Sequence, residues 1–256
     1  MLNVKSMAIA IITIATVSAC KINPQIEVDR SGLIDVAEIT QNPTAYMGQS
    51  VLVRNDAIAT VGKRGLILDK DRAFSGDTIL VITPAAISLE SAIETTPEFL
   101  VSGKVEQLSL ARLQQQSGLN LDPNLYRQYE NQPVIIADSV IFSPDPEDLT
   151  RSPEAYYGKP LAVKGELEDI KSYGVFELDE EQVFGGEDLV VVQPKPRIKL
   201  AEEQTAIVYG TLRPFIIVEL ERDYDLEWDL SIRKEIEAEY SQKPVLVADK
   251  IQLLEP

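Results

Sequence analysis

The chain has 256 residues, of which 41 are Asp or Glu and 24 are Lys or Arg, so its formal net charge is −17. It contains no histidine and one cysteine, Cys20. Without histidine, Ser-His and Cys-His nucleophile arrangements and histidine metal sites are excluded. The negative charge opposes binding to phosphate backbones and favours solubility, cations or basic partners.

Cys20 follows a short apolar stretch at the N-terminus. Lys5 supplies a positive charge, residues 7–17 are almost entirely apolar, and the small residues Ser18 and Ala19 directly precede the cysteine. This arrangement predicts a secretory signal peptide over residues 1–19, too short to span a bilayer as a stable helix. The alternative interpretation is an ordinary signal peptide that happens to be followed by a cysteine.

The segment Val17-Ser18-Ala19-Cys20 resembles the lipobox of bacterial lipoproteins. The resemblance implies that Cys20 is the lipidated first residue of the mature protein and its lipid anchor in the cell envelope. The anchored chain would face the periplasm from the inner or outer membrane, or lie on the cell surface. Within that family, Lys21 after the cysteine favours the outer membrane. Lipidation also removes a lone thiol, which is a liability in an oxidising compartment.

After a predicted tether over residues 20–32, the chain repeats itself at a period near 110 residues. Residues 38–84 and 148–194 align without gaps and are identical at 12 of 47 positions. A period this long indicates two tandem domains, predicted at 33–143 and 144–256. The polar segment 143–147 contains two prolines and is predicted to be the linker between them.

Each copy predicts the same order of elements. A short helix or turn at 35–41, or at 147–152, precedes a glycine that turns the chain into the first strand. Alternating or apolar runs then predict five strands per copy: 50–61, 65–68, 78–82, one around Gly103 and 134–142, then 160–170, 175–178, 188–192, one around Gly210 and 245–253. A helical insert separates the fourth strand from the fifth. The predicted class is mainly β with short helices (α+β), as two tandem five-stranded Greek-key barrels.

The pattern Tyr-x-Gly-[Gln/Lys]-x-x-x-Val, then an apolar-Leu-Asp strand end, then Gly-[Asp/Glu]-x-apolar-apolar-Val, occurs in both copies. It resembles bacterial OB-fold modules of the tRNA-anticodon-binding-like type found in exported proteins. The resemblance implies two OB-like domains. One departure is that the helical insert follows the fourth strand, whereas the usual OB helix follows the third, so the ligand face is left open.

Acidic residues surround the second and third predicted strands, where nucleic-acid-binding OB folds carry basic and aromatic side chains. Asp69, Asp71 and Asp77 also offer oxygen ligands for calcium, and the second copy has Glu181 and Glu187 at the positions of Asp71 and Asp77. Their spacing does not match an EF-hand loop, and a solvated turn is the preferred interpretation. No metal, cofactor or nucleic acid is therefore assigned.

The segment 219–229 is acidic at every odd position and carries Leu, Arg, Tyr, Leu and Trp at the even positions between them. As an extended strand it would place all the acids on one face, with a helix beginning near 231. This face is the candidate surface for a partner; the alternative is a solvated edge with Tyr224 and Trp228 packed inside. The candidate partner-binding residues are Glu219, Glu221, Asp223, Asp225, Glu227 and Asp229.

The leading hypothesis is a non-catalytic, membrane-anchored binding or scaffolding module of the cell envelope, with a protein of basic surface or a cationic ligand as its partner. The alternative is a carboxylate-based, metal-dependent envelope module or enzyme. Oligonucleotide binding by analogy to the fold is third, because the charge opposes it.

Overall fold

The computed structural model describes residues 32–69, 77–86, 97–180, 187–195, 198–241 and 243–255. The predicted signal peptide, Cys20 and nearly all of the predicted tether lie outside these residues, as do Asp71 and Glu181. Over the described ranges the chain is mainly β with short helices, as predicted, and it contains a closed five-stranded barrel.

Five strands from the first copy form this barrel, which we call the first circuit: β1 (Ser50–Val61), β2 (Gly65–Asp69), β3 (Ile79–Ile82), β4 (Glu98–Gln107) and β5 (Pro133–Phe142). Antiparallel pairing joins β1 to β2 and β4, β2 to β3, and β4 to β5. The parallel pairing of β3 with β5 closes the circuit.

The second copy pairs its strands in the same order, and we call it the second circuit: β6 (Pro160–Glu168), β7 (Val175–Asp179), β8 (Leu189–Val192), β9 (Thr205–Pro214) and β10 (Pro244–Leu253). Antiparallel pairing joins β6 to β7 and β9, β7 to β8, and β9 to β10. The closing pair, β8 with β10, is again parallel. These strands lie close to the bounds predicted from the sequence.

Short helices connect the strands. They are α1 (Val36–Gln41), α2 (Pro43–Tyr46), α3 (Leu110–Ser117), α4 (Pro123–Tyr126), α5 (Pro146–Arg151), α6 (Ile217–Tyr224) and α7 (Leu230–Tyr240), with 3₁₀ turns at Arg127–Tyr129 and Pro153–Ala155. The pair α3 and α4 lies between β4 and β5, and the pair α6 and α7 lies between β9 and β10. The predicted position of the helical inserts is therefore confirmed.

Apolar side chains, which alternate along the strands, fill the interior of each circuit. Val51 and Val53 of β1 face inward, two residues apart, as a strand of period two requires. In β7, Phe176 and Leu178 do the same, while Glu177 between them points outward. The burial of these side chains provides the main driving force for closing the strands around one core.

The outer face of three strands in each circuit is also apolar and is covered by the helical insert. In the first circuit, Ile67, Leu80 and Val134 pack beneath Leu113 and Tyr126. In the second, the corresponding cluster contains valines of β7, β8 and β10 beneath Leu220, Trp228, Ile236 and Tyr240. Strands buried on both faces explain the nearly continuous apolar runs in β3 and β8.

A glycine with positive φ precedes the first strand of each circuit, as predicted. Gly48 has φ 79° and Gly158 has φ 74°, in the left-handed region that a residue with a Cβ enters at a cost. The amide of Gly48 donates to Val105 O, and that of Gly158 donates to Leu212 O. The turn thereby places the start of the first strand beside the fourth strand of its own circuit.

The predicted linker is largely buried rather than an exposed spacer. Arg54 donates to Ser143 Oγ and Ser143 O at 2.9 Å each and to Asp145 Oδ1 at 2.6 Å. Arg54 also contacts Glu98 Oε2 at 2.6 Å, while the Ser143 hydroxyl donates to Ala162 O across the junction. The polar groups of this segment can be buried because the guanidinium of Arg54, on the first circuit, donates several hydrogen bonds to them.

Apolar contacts reinforce the junction between the circuits. Leu52 and Leu100, on the outer face of the first circuit, pack with Ala162 and Ile207 of the second. The last residue of β5, Phe142, pairs in parallel with Leu161 of β6. The domain boundaries themselves remain a prediction.

Candidate functional site

The acidic segment 219–229 is not an extended strand, so that prediction was wrong. Its first half forms α6, Asp225 ends the helix in the left-handed conformation, and α7 begins at Leu230. The reason is that Ile217, Leu220 and Tyr224 recur at helical spacing and pack together against β8 and β10. Tertiary packing therefore overrides the alternating pattern, and the six acids do not share one face.

Arginines near α6 hold two of these acids. Arg213 donates to Asp223 Oδ2 at 2.9 Å and lies 3.6 Å from Glu219. Arg222 donates to the other oxygen of Asp223 at 2.8 Å. The hydrogen bond from Arg222, followed by that from Arg213, lowers the pKa of Asp223. These acids serve the internal charge balance of the insert.

Two further acids of the segment join α6 to α7 or begin α7. Glu221 forms a bidentate ion pair with Arg233, whose Nε lies 2.6 Å from Glu221 Oε1. Asp229 caps α7 by accepting from the amides of Ser231 and Ile232. The partner-binding role of the six acids remains a prediction; Asp225 and Glu227 are exposed.

The aromatic residues of the segment pack inward, as the alternative interpretation predicted. Trp228 is 9% exposed, and its indole N–H donates to Tyr173 O at 3.2 Å. Tyr224 is partly buried in the same cluster. In the first circuit, the Tyr126 hydroxyl donates in a similar way to Val61 O. Each insert thus fixes one aromatic side chain to the first hairpin of its circuit.

A different group of carboxylates forms where the C-terminal end of α7 meets β7. Asp169 comes from the turn after β6, Glu177 from the outer face of β7, and Glu239 from α7. One carboxylate oxygen of each lies within 4.8 Å of the other two. We call these three residues the carboxylate trio; Asp169 and Glu239 are exposed, whereas Glu177 is half-buried.

The hydroxyl of Tyr240 lies beneath the carboxylate trio. Tyr240 is 0% exposed, and its hydroxyl faces the carboxylate of Glu239. Burial, then the charges of Glu177, Glu239 and Asp169, and last the hydrogen bond with Glu239 raise the pKa of this phenol.

Two lysines flank the trio. Lys171 Nζ lies 2.7 Å from Asp169 Oδ2, and Lys243 Nζ lies 3.8 Å from Glu177 Oε1. Lys243 also stands over the Tyr240 ring, 5.7 Å from its centroid. Burial raises the pKa of Glu177, and the charge of Lys243 opposes that rise without cancelling it. The site therefore attracts positive charge.

More acids continue along the outer surface of β6, β7 and the start of β8. Glu166 and Asp179 are partners in the ladder between β6 and β7. Burial, followed by the charges of Asp179 and Asp188, raises the pKa of Glu168. Burial and then the charge of Asp179 raise the pKa of Asp188. We call this surface the acidic strip; its members are Glu166, Glu168, Asp179, Asp188 and, from the turn before β9, Glu202.

Two of the acids that were weighed as calcium ligands in the first copy, Asp69 and Asp77, lie at the facing ends of β2 and β3. Asp69 is buried at the end of β2, whereas Asp77 accepts from Thr40 Oγ1 and Gln41 Nε2 of α1. Asp71 lies outside the described residues, so the predicted solvated turn is not tested there.

A cavity of about 330 Å³ lies beside the junction of the two circuits. Its lining includes Ile34, Asp35, Arg54, Asn55 and Glu98. The Oδ1 atom of Asn55 has no hydrogen-bond partner among the described residues.

No family model matches this chain, and no curated protein matches it either. Among the helices that the structure describes, none combines the length and apolar character needed to cross a membrane.

The sequence pattern alone did not indicate the carboxylate trio, yet the duplication contains a signal for it. In the gapless alignment, Ala59 and Ile67 of the first copy correspond to Asp169 and Glu177 of the second. Replacement of apolar residues by acids at matched positions marks a surface that only the second copy carries. Glu239 lies too far along the chain for its proximity to be read from spacing.

Proposed function

We propose that this chain is a lipid-anchored protein of the bacterial cell envelope that binds a basic partner and catalyses no reaction. The lipobox-like segment ending at Cys20 supports the anchoring. A diacylated cysteine supplies two hydrophobic chains, the number needed for durable membrane attachment. The signal peptide over residues 1–19 and the placement in the envelope are parts of the same proposal.

Two tandem OB-like domains are the architecture that we propose for this role. The order β1–β2–β3–β5–β4, closed on β1, supports this assignment because an OB fold is a five-stranded Greek-key barrel. The repetition of that order in the second circuit supports the tandem arrangement. The buried junction around Arg54 would then hold the two modules in one orientation, as suits a scaffold.

The location of the helical inserts argues against oligonucleotide binding. OB folds bind nucleic acid on the face of their second and third strands and with the adjoining loops. Here the insert packs on that outer face in both circuits, and the neighbouring surface of the second circuit is acidic. A phosphate backbone would be repelled there.

The acidic strip is the observation that carries the proposed binding role. Burial, followed by the charges of neighbouring acids, raises the pKa of Glu168 and of Asp188 on this surface. Crowded like charges cost free energy, which a basic surface would offset on binding. The absence of histidine from the sequence supports a non-catalytic role. A metal-dependent role is the second candidate, favoured by the convergence of the carboxylate trio.

Anchoring is tested with Cys20→Ser in the full chain. We expect the wild-type protein to incorporate a fatty acid label and to sediment with membranes, and the variant to do neither. An unlabelled wild-type chain in the soluble fraction would contradict the anchored part of the proposal.

The binding role is tested by capture from native envelopes, with bound proteins identified by mass spectrometry. The variant Glu166→Gln/Glu168→Gln/Glu202→Gln removes three charges from the acidic strip. We expect it to lose a basic partner that the wild type retains, and the capture to weaken in about 0.5 M salt because salt screens charge pairs at a surface.

The matched control is Asp138→Asn/Glu154→Gln/Asp249→Asn, which removes the same charge from exposed positions elsewhere. This control must retain the partner. Equal loss in both variants would indicate a net-charge effect, and capture of nothing by the wild type would overturn the binding role.

A further inference from the structure

The cavity of about 330 Å³ beside the junction lies between the segment that precedes α1 and the strands β1 and β4 of the first circuit. We call it the junction cavity. We infer that it binds an aliphatic primary amine, either a small free molecule or a lysine side chain. The site belongs to the first circuit, so the inference goes beyond the proposed binding of a basic partner at the acidic strip.

A buried amide in the lining of the junction cavity is the observation that points to a ligand. Asn55 lies in β1 between Val53 and Ala57, whose side chains belong to the core of the first circuit. Asn55 is 7% exposed, and its Oδ1 atom has no hydrogen-bond partner among the described residues. A buried acceptor without a donor costs free energy. A ligand that brings a donor into the cavity would remove this cost.

The charge of the lining favours a donor that is a cation. Asp35, Asp56 and Glu98 line the cavity with carboxylates, and Arg54 is the basic side chain among its described lining residues. Asp56 is the ladder partner of Glu98 on β4 and of Asp69 on β2. Like charges directly opposite one another destabilise a sheet, and a cation beside them offsets this repulsion.

The apolar wall of the cavity favours an aliphatic amine over an inorganic ion. Leu33 and Ile34 form this wall, and the amide of Ile34 donates to Leu52 O at 2.8 Å, which holds the segment against β1. The cavity volume is at the lower end of the range for small-molecule sites. An alkyl chain would lie along the wall while its ammonium group, with three donors, reaches Asn55 and the carboxylates.

The acceptors also distinguish an ammonium from a guanidinium group. A guanidinium matches the two parallel oxygens of one carboxylate. Glu98 already receives such a group from Arg54, whose Nη2 lies 2.6 Å from Glu98 Oε2. The other acceptors are single groups on separate elements, Asp35 before α1 and Asn55 on β1. A compact ammonium with donors in three directions suits this arrangement better.

The test is calorimetric titration of n-pentylammonium chloride into the purified full chain, with 1-pentanol as a neutral ligand of similar shape. We expect one site per chain with a Kd of about 10⁻³ M, as ordinary ligand efficiency allows for about six non-hydrogen atoms. The alcohol should bind about tenfold more weakly, because hydrogen bonds from a charged donor are the stronger ones.

Two variants test the lining. Asn55→Ala removes an acceptor without a partner in the described part of the chain, so binding should weaken about tenfold while thermal stability stays equal or rises. Asp35→Asn removes a charge but keeps an oxygen that caps α1, where Asp35 accepts from the Ala37 amide at 2.8 Å. It should weaken binding about threefold. The control Asp249→Asn, at an exposed position, must leave the Kd unchanged.

Two further ligands identify the source of the amine. Nα-acetyl-lysine N-methylamide carries the same ammonium on a peptide backbone. If it binds at least as tightly as pentylammonium, the natural ligand is a lysine side chain, whereas weaker binding indicates a free amine. The corresponding arginine derivative should bind more weakly than the lysine derivative, and the reverse order would contradict the choice of an ammonium group.

Absence of saturable pentylammonium binding up to about 10⁻² M, ten times the expected Kd, would overturn the inference. An unchanged Kd in Asn55→Ala would do the same. Displacement of pentylammonium by CaCl₂, but not by NaCl at the same ionic strength, would assign the cavity to a metal ion instead. The variant Glu166→Gln/Glu168→Gln/Glu202→Gln leaves the cavity intact. It must bind pentylammonium whether or not it retains a protein partner, so failure of either proposal is recognised separately.

Discussion

The two circuits use one scaffold but differ in the chemistry beneath their helical inserts. In the first, the Tyr126 hydroxyl donates to Val61 O, and the outward position on β2 is the buried Ile67. In the second, the Tyr240 hydroxyl faces the carboxylate of Glu239, and the corresponding outward position on β7 is Glu177. The comparison indicates that the first insert is a structural cover, whereas the second also builds a charged site.

Matched glycines on the fourth strands provide the strongest test that both circuits are equally closed. A Cβ on Gly103 would lie 2.5 Å from Ile136 O and 2.8 Å from Ala137 Cα, and one on Gly210 would meet Val247 O. Because these obstacles are backbone atoms, we expect Gly103→Ala and Gly210→Ala each to lower the free energy of unfolding by about 3 kcal/mol.

Urea denaturation would measure this loss, with Gly32→Ala as the control because its Cβ would meet no atom within 4 Å. A single transition lowered by both substitutions would mean that the circuits unfold as one unit. Two transitions, each sensitive to one glycine, would mean that they unfold separately. An unchanged stability would contradict the close strand approach.

Arg54 tests whether the junction couples the circuits. The substitution Arg54→Met leaves Glu98 and the carbonyl of Ser143 without their charged donor, so we expect a loss of about 2 kcal/mol. Thermal unfolding with probes in each circuit would report it. Arg54→Lys keeps the charge but not the fork of donors, and should recover only part of the stability.

The two buried tyrosines give the sharpest contrast between the inserts. Tyr126→Phe removes the donor to a buried carbonyl, and we expect it to destabilise the chain by about 1 kcal/mol. Tyr240→Phe removes a hydroxyl that faces the exposed carboxylate of Glu239 instead, and we expect it to cost less than Tyr126→Phe. Chemical denaturation in EDTA would measure both.

Equal losses in the two phenylalanine variants would show that the contact of Tyr240 with Glu239 stabilises the fold as much as the hydrogen bond from Tyr126 to Val61 O, and would end the distinction drawn between the inserts.

The smallest expected effect concerns the acids of α6. Arg222, then Arg213, lower the pKa of Asp223, so the folded state releases this proton more readily than the unfolded state. The resulting stability is present above the ordinary carboxyl pKa and is lost as pH falls through the lowered folded value. The effect is small because the pair is exposed.

Melting temperatures of the wild type and Asp223→Asn, measured from about pH 7 down to about pH 2, would show the two curves converging in acid. Asp225→Asn, at a neighbouring exposed acid, serves as the control. Curves that stay parallel down to the lowest pH would contradict the arginine pairing.

Most of the fold could be predicted because its signals are local. Alternation in β1 and β6, the apolar runs of β3 and β8, and the turn glycines Gly48 and Gly158 all lie within short segments. Because the chain is duplicated, the sequence showed the pattern of each element twice. The predicted limits of the strands therefore lie close to those in the structure. The strand prediction for segment 219–229 was wrong because its alternating pattern is typical of a strand, whereas Leu220 and Tyr224 become buried against other strands only when the segment is a helix.

The sequence by itself determined a strongly acidic chain without histidine, two copies of a five-stranded pattern, and helical inserts at one position in each. Only the tertiary structure decided which acids stand together. Asp169 and Glu177 are joined by the pairing of β6 with β7, but Glu239 reaches them because α7 packs its apolar face on the outside of β7, β8 and β10. Charge and periodicity can be read along the chain, whereas a group of acids from distant segments is brought together only by packing.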